Sequence, residues 1–193
     1  MLKKNAQIPE IKGPVVIIIM DGIGANPSTE GNAVTQAQTP VLDNLLATRP
    51  HVVIKAHGTA VGMPSDEDMG NSEVGHNAIG AGRVFRQGAA LVNDAIASGG
   101  IFAGEAWREI IGNTLSHGST LHFMGLFSDG NVHSHIDHLQ ALIRQAAKEG
   151  QGRVRVHILL DGRDVPETSA LEYVEPFERF LDAVDNHPRA NIL

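Results

Sequence analysis

The stretch "TLHFMGLFSDG", residues 120–130, joins an apolar run to an abrupt Asp-Gly ending. The run predicts a β-strand, and Asp-Gly is the turn chemistry that ends one. The same pattern occurs in "VVIIIMDG", residues 15–22, and in "RVRVHILLDGRD", residues 153–164. In open α/β sheets, ligands bind in the crevice outside the carboxyl ends of the strands. We therefore expect an α/β fold, with functional side chains just after these strands.

Helices are predicted between and after the strands. The expected helices span residues 89–98, 105–117, 136–149 and about 169–184. The first three are each followed by glycine, which favours a left-handed C-terminal cap. Nearer the N-terminus, Thr39 and Pro40 predict a helix start, between the strand at residues 15–20 and a second predicted strand at residues 51–58. This order suggests a further α/β unit.

The composition is that of a globular protein and argues against several classes of function. The 193 residues are 42% apolar and 19% charged, and no apolar run approaches the ~18 residues of a membrane span. The N-terminus lacks the apolar region of a secretory signal, and Cys is absent, so we expect a cytoplasmic protein without disulfides. A net charge of −7 argues against nucleic-acid partners, but a small anionic substrate could bind through a metal ion or a few Arg residues.

The acidic stretch "MPSDEDMGNSEVGH", residues 63–76, contains a candidate nucleophile, Ser72. It predicts a tight turn leading into a helix, with Ser72 in the first turn, where free N–H groups and the helix dipole favour an anion. A serine there could be phosphorylated during turnover. No base stands beside it in the sequence, so a metal ion on the hydroxyl is the expected activator. On pattern alone, a helix N-cap is the commoner role for such a serine.

Three histidines follow the strand that ends near residue 130, namely His133, His135 and His138. Their spacing is compatible with a zinc site. We favour the alternative in which one histidine is functional and the others cap or pack, because no fourth ligand or orienting partner is evident.

Two further positions after predicted strands could carry chemistry. Asp21, at the end of a strand expected to be buried, is well placed to hold a divalent cation, although Asp-Gly also simply makes a good turn. After the last predicted strand, Arg163 could clamp a phosphate or carboxylate, and Asp164 could act as a general base. The alternative for this pair is an exposed turn with a local ion pair.

Four stretches resemble, in the same order, signatures of the cofactor-independent phosphoglycerate mutases. They are "IMDGIG", "MPSDEDMGNSEVGHNAIGAGRV", "LFSDGNVHSHIDHL" and "LLDGRDVPETS". The resemblance covers most of the chain, and the second stretch is long and highly specific. Two places depart slightly from the commonest versions: Asn131 in "SDGN" and residues 65–68 in "MPSDED".

The resemblance implies an enzyme of glycolysis and gluconeogenesis that interconverts 3-phosphoglycerate and 2-phosphoglycerate through a phosphoserine at Ser72. It implies two divalent metal ions, usually manganese, and no 2,3-bisphosphoglycerate. Asp21 and Ser72 would be metal ligands, His133 and Arg163 would hold substrate, and Asp164 would both contact the substrate and act as its acid/base.

The resemblance also implies a domain organisation and a monomeric full-length protein. Residues 1–82 would be the first segment of a split, alkaline-phosphatase-like domain, and residues 83–193 a partial α/β transferase domain. Family members are much longer, and "ANIL", residues 190–193, looks like the start of another buried strand. We therefore expect this chain to be incomplete and inactive alone. The alternatives are a related metal-dependent phosphatase and a non-catalytic fragment that binds phosphoglycerate.

Overall fold

The computed structural model describes residues 6, 7, 9 and 12–185, so the strand expected at residues 190–193 lies outside it. The chain divides into two compact units, residues 1–54 and residues 55–193. No helix in the described ranges is long and apolar enough to cross a membrane. The predicted domain division at residues 82 and 83 stays a prediction.

The described residues form a mixed α/β structure, in which helices and strands alternate over residues 105–185. In chain order the elements are α1 (Ala33–Gln36), α2 (Pro40–Thr48), α3 (Ser72–Ala81), α4 (Ala89–Ala97), α5 (Gly100–Ala103), α6 (Glu105–Ser116), β1 (Leu121–Phe127), α7 (Ile136–Lys148), β2 (Val154–Leu160) and α8 (Ala170–Asp185), with a 3-10 turn at Gly58–Val61 before α3. The predicted helices match α4, α6, α7 and α8 to within a residue or two. The predicted glycine caps are also confirmed, because Gly99, Gly118 and Gly150 have φ values of 73°, 57° and 94°.

The unit of residues 55–193 is organised by a β–α–β motif. β1 and β2 pair in parallel, residue for residue, over their whole lengths, and α7 connects them. Parallel strands require such a crossover, because the end of one strand lies far from the start of the next. The loops that follow β1 and β2 therefore begin side by side, which is the geometry expected for a ligand crevice.

The main core of this unit lies around the two strands. Its buried apolar residues are Ile111, Leu121, Phe127, Ile143, Ala146, Val154 and Phe177. Phe127 at the end of β1 meets Phe177 of α8 edge to face, with ring centroids 4.9 Å apart. Burying each large apolar side chain contributes about 1.5–3 kcal/mol, so this core holds the carboxyl ends of the strands in place.

A smaller apolar cluster positions α3. It consists of Val61, Met63 and Val74. Buried Gln87 ties it together, because its Nε2 donates to the carbonyls of Val61 (2.8 Å) and Val74 (2.9 Å). The first turn of α3 is thus attached to the segment that precedes it.

The unit of residues 1–54 contradicts part of the sequence prediction. Residues 15–20 and 51–56 form no strand, and the apolar side chains of residues 15–20 are 52% to 80% exposed. The strand predictions here were wrong because a buried parallel strand needs hydrogen-bonded neighbours and covered faces, and neither run has a paired strand among the described residues. The helix between them, α2, begins at Pro40 as predicted.

Candidate active site

Ser72 is the first residue of α3, and the residue before it provides the cap. The side-chain oxygen of Asn71 accepts a hydrogen bond from the amide of Val74 (3.0 Å). The expected turn into a helix is confirmed, but the N-cap is Asn71 rather than Ser72. The Ser72 side chain is exposed, at a helix end whose amides and dipole favour an anion.

The structure places a histidine beside Ser72 that the sequence analysis overlooked. Nδ1 of His76 lies 3.2 Å from the Ser72 hydroxyl oxygen and 2.7 Å from the Ser72 carbonyl oxygen. A carbonyl only accepts, so the shorter contact requires a proton on Nδ1. His76 therefore cannot take the hydroxyl proton of Ser72 in this arrangement. Its spacing of four residues, one turn along a helix, was the signal in the sequence.

The loop after β1 is held by one half-buried and one exposed polar contact. The hydroxyl of Ser128, which is 1% exposed, accepts from the amide of Gly130 (3.0 Å). The Tyr173 hydroxyl donates to Oδ1 of Asp129 (2.8 Å), and that bond raises the pKa of Tyr173. His133 follows in the same loop and is exposed.

The loop after β2 is a turn organised by Asp161. Oδ1 of Asp161 accepts from the amides of Arg163 (2.9 Å) and Asp164 (3.1 Å). The Ser128 hydroxyl and these amides stabilise the carboxylate and lower the pKa of Asp161 to about 2. Asp161 thus plays the turn role expected of Asp-Gly, and the turn presents Arg163, which is exposed, and Asp164.

The two loops meet at a glycine. A Cβ atom on Gly130 would lie 2.8 Å from the Cβ of Asp164, so only glycine allows this approach. Nε2 of His133 lies 4.0 Å from Oδ2 of Asp164, whose side chain is 10% exposed against 59% for His133. The structure thus brings together two residues that the sequence analysis singled out separately.

The segment before Ser72 also contacts the loop after β1. The amide nitrogen of the Asn71 side chain donates to the carbonyl of Val132 (3.4 Å), and that of Asn131 donates to Oδ1 of Asp68. Of the five residues predicted for the site, Ser72, His133, Arg163 and Asp164 therefore lie on or beside segments joined by direct contacts. The fifth, Asp21, belongs to the unit of residues 1–54, where its Oδ1 accepts from the amide of Gly22 (2.8 Å).

Comparison with known proteins identifies the family. The family model described as "BPG-independent PGAM N-terminus" matches residues 92–192 of the 193 residues. This chain belongs to that family.

Its similarity to individual members is high over most of the chain. A probable 2,3-bisphosphoglycerate-independent phosphoglycerate mutase from Leptospira interrogans is 59% identical over 172 residues, 88% of this chain and 31% of the relative. The mutase 1 of Arabidopsis thaliana is 48% identical over 185 residues, 95% of this chain and 33% of the relative. A crystal structure of Leishmania mexicana phosphoglycerate mutase at low cobalt concentration superposes with a TM-score of 0.78 at 49% identity, covering 90% of this chain and 32% of that one. This member of the family thus spans about a third of the length of the relatives it matches.

The donors that this family member offers to a metal ion are few. Within the described ranges, no group of three or more His, Asp or Glu side chains could hold a metal ion. Asp21 and Ser72 carry oxygen donors, the kind that hard divalent cations prefer. Their chemistry fits such an ion, but two donors are fewer than one ion requires.

The other two histidines of the "HSHIDH" stretch, residues 133–138, have structural roles. His135 is the N-cap of α7 and accepts from the amide of Asp137 (3.2 Å). Nε2 of His138 lies 2.6 Å from Oδ1 of Asn93 in α4, and burial lowers the pKa of His138. These contacts are the capping and packing that we favoured over a zinc site.

Proposed function

We propose that this chain is the N-terminal part of a cytoplasmic, metal-dependent mutase that interconverts 3-phosphoglycerate and 2-phosphoglycerate through a phosphoserine at Ser72. The observation that carries the proposal is the contact between the segment ending at Ser72 and the loop bearing His133, which lies beside Asp164. These contacts support a single site in which Ser72 would carry the phosphoryl group and the Asp164 carboxylate would exchange a proton with the glycerate hydroxyl.

The proposed reaction consists of two phosphoryl transfers, first to Ser72 and then back to the glycerate. Ser72 releases its hydroxyl proton to solvent, and its Oγ forms a bond to phosphorus as the bond between phosphorus and the C3 oxygen breaks, while Asp164 protonates the departing oxygen. His133 and Arg163 hold the glycerate, the guanidinium acting as a planar clamp for its carboxylate. Asp164 then removes the proton of the C2 hydroxyl, whose oxygen takes the phosphoryl group back from Ser72. The amides at the start of α3 offset the charge on the group in transit.

Asp21 and Ser72 would contribute to holding two divalent ions, which we propose to be Mn²⁺. Such ions make a serine hydroxyl nucleophilic near neutral pH and neutralise charge on the phosphoryl group. We propose that the remaining ligands belong to a longer protein, in an alkaline-phosphatase-like domain whose first segment is residues 1–82. The relatives, about three times as long as this chain, are consistent with that arrangement.

The test compares the 193-residue chain with a hybrid in which it replaces the equivalent residues of the Leptospira relative. Each is supplied with Mn²⁺ and 3-phosphoglycerate, and 2-phosphoglycerate and free phosphate are measured in the same tube. We expect no turnover by the chain alone and isomerisation by the hybrid. Ser72→Ala should abolish it, while Ser116→Ala, an exposed serine at the end of α6, should not change it.

Each other outcome assigns a different function. Free phosphate without isomerisation would identify a related metal-dependent phosphatase, a reading that the exposure of Ser72 to water favours. Binding of phosphoglycerate by the chain, unchanged by Ser72→Ala and without turnover by the hybrid, would identify a non-catalytic binding fragment. Isomerisation by the chain alone would refute the proposal that further ligands are needed.

A further inference from the structure

The backbone of Asn131 lies in the left-handed region. Among the described residues it is the only one other than glycine with a positive φ, 58°. Asparagine tolerates the left-handed region better than most residues, but glycine enters it without a steric cost. A side chain retained at such a position should make a contact that glycine could not. Asn131 makes one, to a residue 63 positions earlier in the chain.

That residue, Asp68, is shared between its own segment and Asn131. Its Oδ2 accepts from the amide (2.7 Å) and the hydroxyl (2.8 Å) of Ser65, while its Oδ1 accepts from Nδ2 of Asn131. Partial burial raises the pKa of Asp68, but the bonds from Asn131 and Ser65 outweigh it and leave the pKa below its usual value. Asp68 is therefore ionised at neutral pH, and its bond to Asn131 is charge-assisted.

A second bond runs beside the first. The Asn71 side chain donates to the carbonyl of Val132 and at the same time caps α3 through its oxygen. We call the Asp68–Asn131 and Asn71–Val132 bonds together the loop bridge. Because Asn71 immediately precedes Ser72, and Val132 immediately precedes His133, the loop bridge links the two halves of the candidate site one residue away from Ser72 and from His133.

We propose that Asn131 is a positioning residue whose bond to Asp68 fixes the loop carrying His133 against the segment carrying Ser72. This inference rests on the proposed function. It adds a residue that would support the reaction without contacting the substrate. The structure shows that Asn131 bonds to the turn of residues 65–68 across 63 positions of the chain. A transfer between two loops tolerates little displacement, since a shift of about 1 Å costs up to roughly 100-fold in rate. Because a loosened bridge slows the return of the phosphoryl group, water should hydrolyse more of the phosphoserine before that return.

A charge exchange tests the bond in the hybrid enzyme. Asn131→Asp places a second carboxylate next to that of Asp68, and the repulsion between them should break the bond between positions 131 and 68. Asp68→Asn should preserve it, because the Asn131 amide can turn and accept. In the double variant, the amide introduced at position 68 donates to the carboxylate introduced at position 131 and still accepts from Ser65, so the bond returns with its polarity reversed.

For Asn131→Asp we expect kcat to fall roughly tenfold to a hundredfold and phosphate released per isomerisation to rise, with KM little changed. Asp68→Asn and the double variant should lie within about twofold of the parent enzyme. A merely structural residue would not move the ratio of hydrolysis to isomerisation. If Asn131→Asp does not fold, Asn131→Gly, which keeps the backbone conformation and removes the side chain, decides the question. The inference is wrong if the double variant is as impaired as Asn131→Asp, or if Asn131→Gly retains the parental rate and ratio.

Hydrogen exchange on the 193-residue chain separates this inference from the proposed function. Protection of amides in residues 68–74 and 130–134 should fall together in Asn131→Asp and Asn131→Gly and return in the double variant. If the hybrid proves inactive while this pattern is observed, the activity proposal fails and the loop bridge stands. If neither substitution changes exchange in residues 68–74, the loop bridge is refuted whatever the hybrid does.

Discussion

β1 and the run of residues 15–20 are both mainly apolar, but only β1 is paired with another described strand and buried at its two ends. Both are followed within two residues by Asp-Gly. Leu121 and Phe127, at the two ends of β1, are 5% and 2% exposed, whereas Ile18 in the other run is 80% exposed. β1 has a parallel partner along its whole length and a core on one side, while residues 15–20 have no paired strand among the described residues.

A β-strand therefore depends on a paired neighbour as well as on its own residues. The backbone hydrogen bonds of a strand are made to a neighbouring strand, and its apolar side chains are buried only if another element covers them. A helix such as α2 satisfies its backbone within itself, which explains why α2 forms in the same unit where both predicted strands do not.

The largest expected difference is in amide exchange of the 193-residue chain. Amides in the β1–β2 ladder should exchange roughly 1,000-fold or more slowly than those of residues 15–20, because their opening requires disruption of the main core. Mass spectrometry of exchanged peptides measures both regions in one experiment. Equal protection would mean that residues 15–20 are paired in solution, and the contrast drawn above would be lost.

Core truncation should produce the next largest effect. Ile143→Ala, at a side chain that is 0% exposed, should lower the free energy of unfolding by about 2–5 kcal/mol through lost burial and a residual cavity. The matched change Ile18→Ala, at 80% exposure, should stay within about 0.5 kcal/mol. Urea denaturation followed by circular dichroism measures both, and similar losses would show that residue 18 is buried.

A glycine substitution tests the meeting point of the two loops. Gly130→Ala should cost about 1–3 kcal/mol, because the new methyl group would lie 2.8 Å from the Cβ of Asp164. Gly24→Ala, where no atom lies within 4 Å, serves as the control and should not destabilise the chain. Thermal unfolding of the two variants provides the comparison. An unchanged melting temperature for Gly130→Ala would mean that the loops are further apart than the structure shows.

The smallest expected effect is a pH dependence at His138, which links α7 to α4. Burial lowers the pKa of His138 below its ordinary value of 6.5, so the folded chain binds this proton less readily than the unfolded chain does. The resulting stability is fully present above pH 6.5 and is lost as pH falls through the lowered pKa. His138→Gln can keep a bond to Asn93 without titrating, so the fall in stability on acidification below pH 6.5 should be smaller in that variant. An identical pH profile would assign the dependence to other groups.

Much of the second unit could be predicted from local patterns. The ends of α4, α6 and α7 followed from periodicity and from Gly99, Gly118 and Gly150, because a left-handed glycine cap depends on neighbouring residues alone. The position of Ser72 at the start of a helix was predictable as well, because a turn that leads into a helix also depends on neighbouring residues. The closeness of His76 to Ser72 could also have been predicted, because residues four apart lie on the same face of a helix.

What the amino-acid pattern specified was therefore local: helix positions, turn residues and the signatures that identify the family. Folding in three dimensions decided which apolar runs became strands and which loops met. The contact between Asn131 and Asp68, 63 residues apart, and the approach of Gly130 to Asp164 arise from the parallel pairing of β1 with β2 and the packing of α3 on its cluster. Such contacts depend on the joint position of several elements, and no spacing along the chain encodes that position.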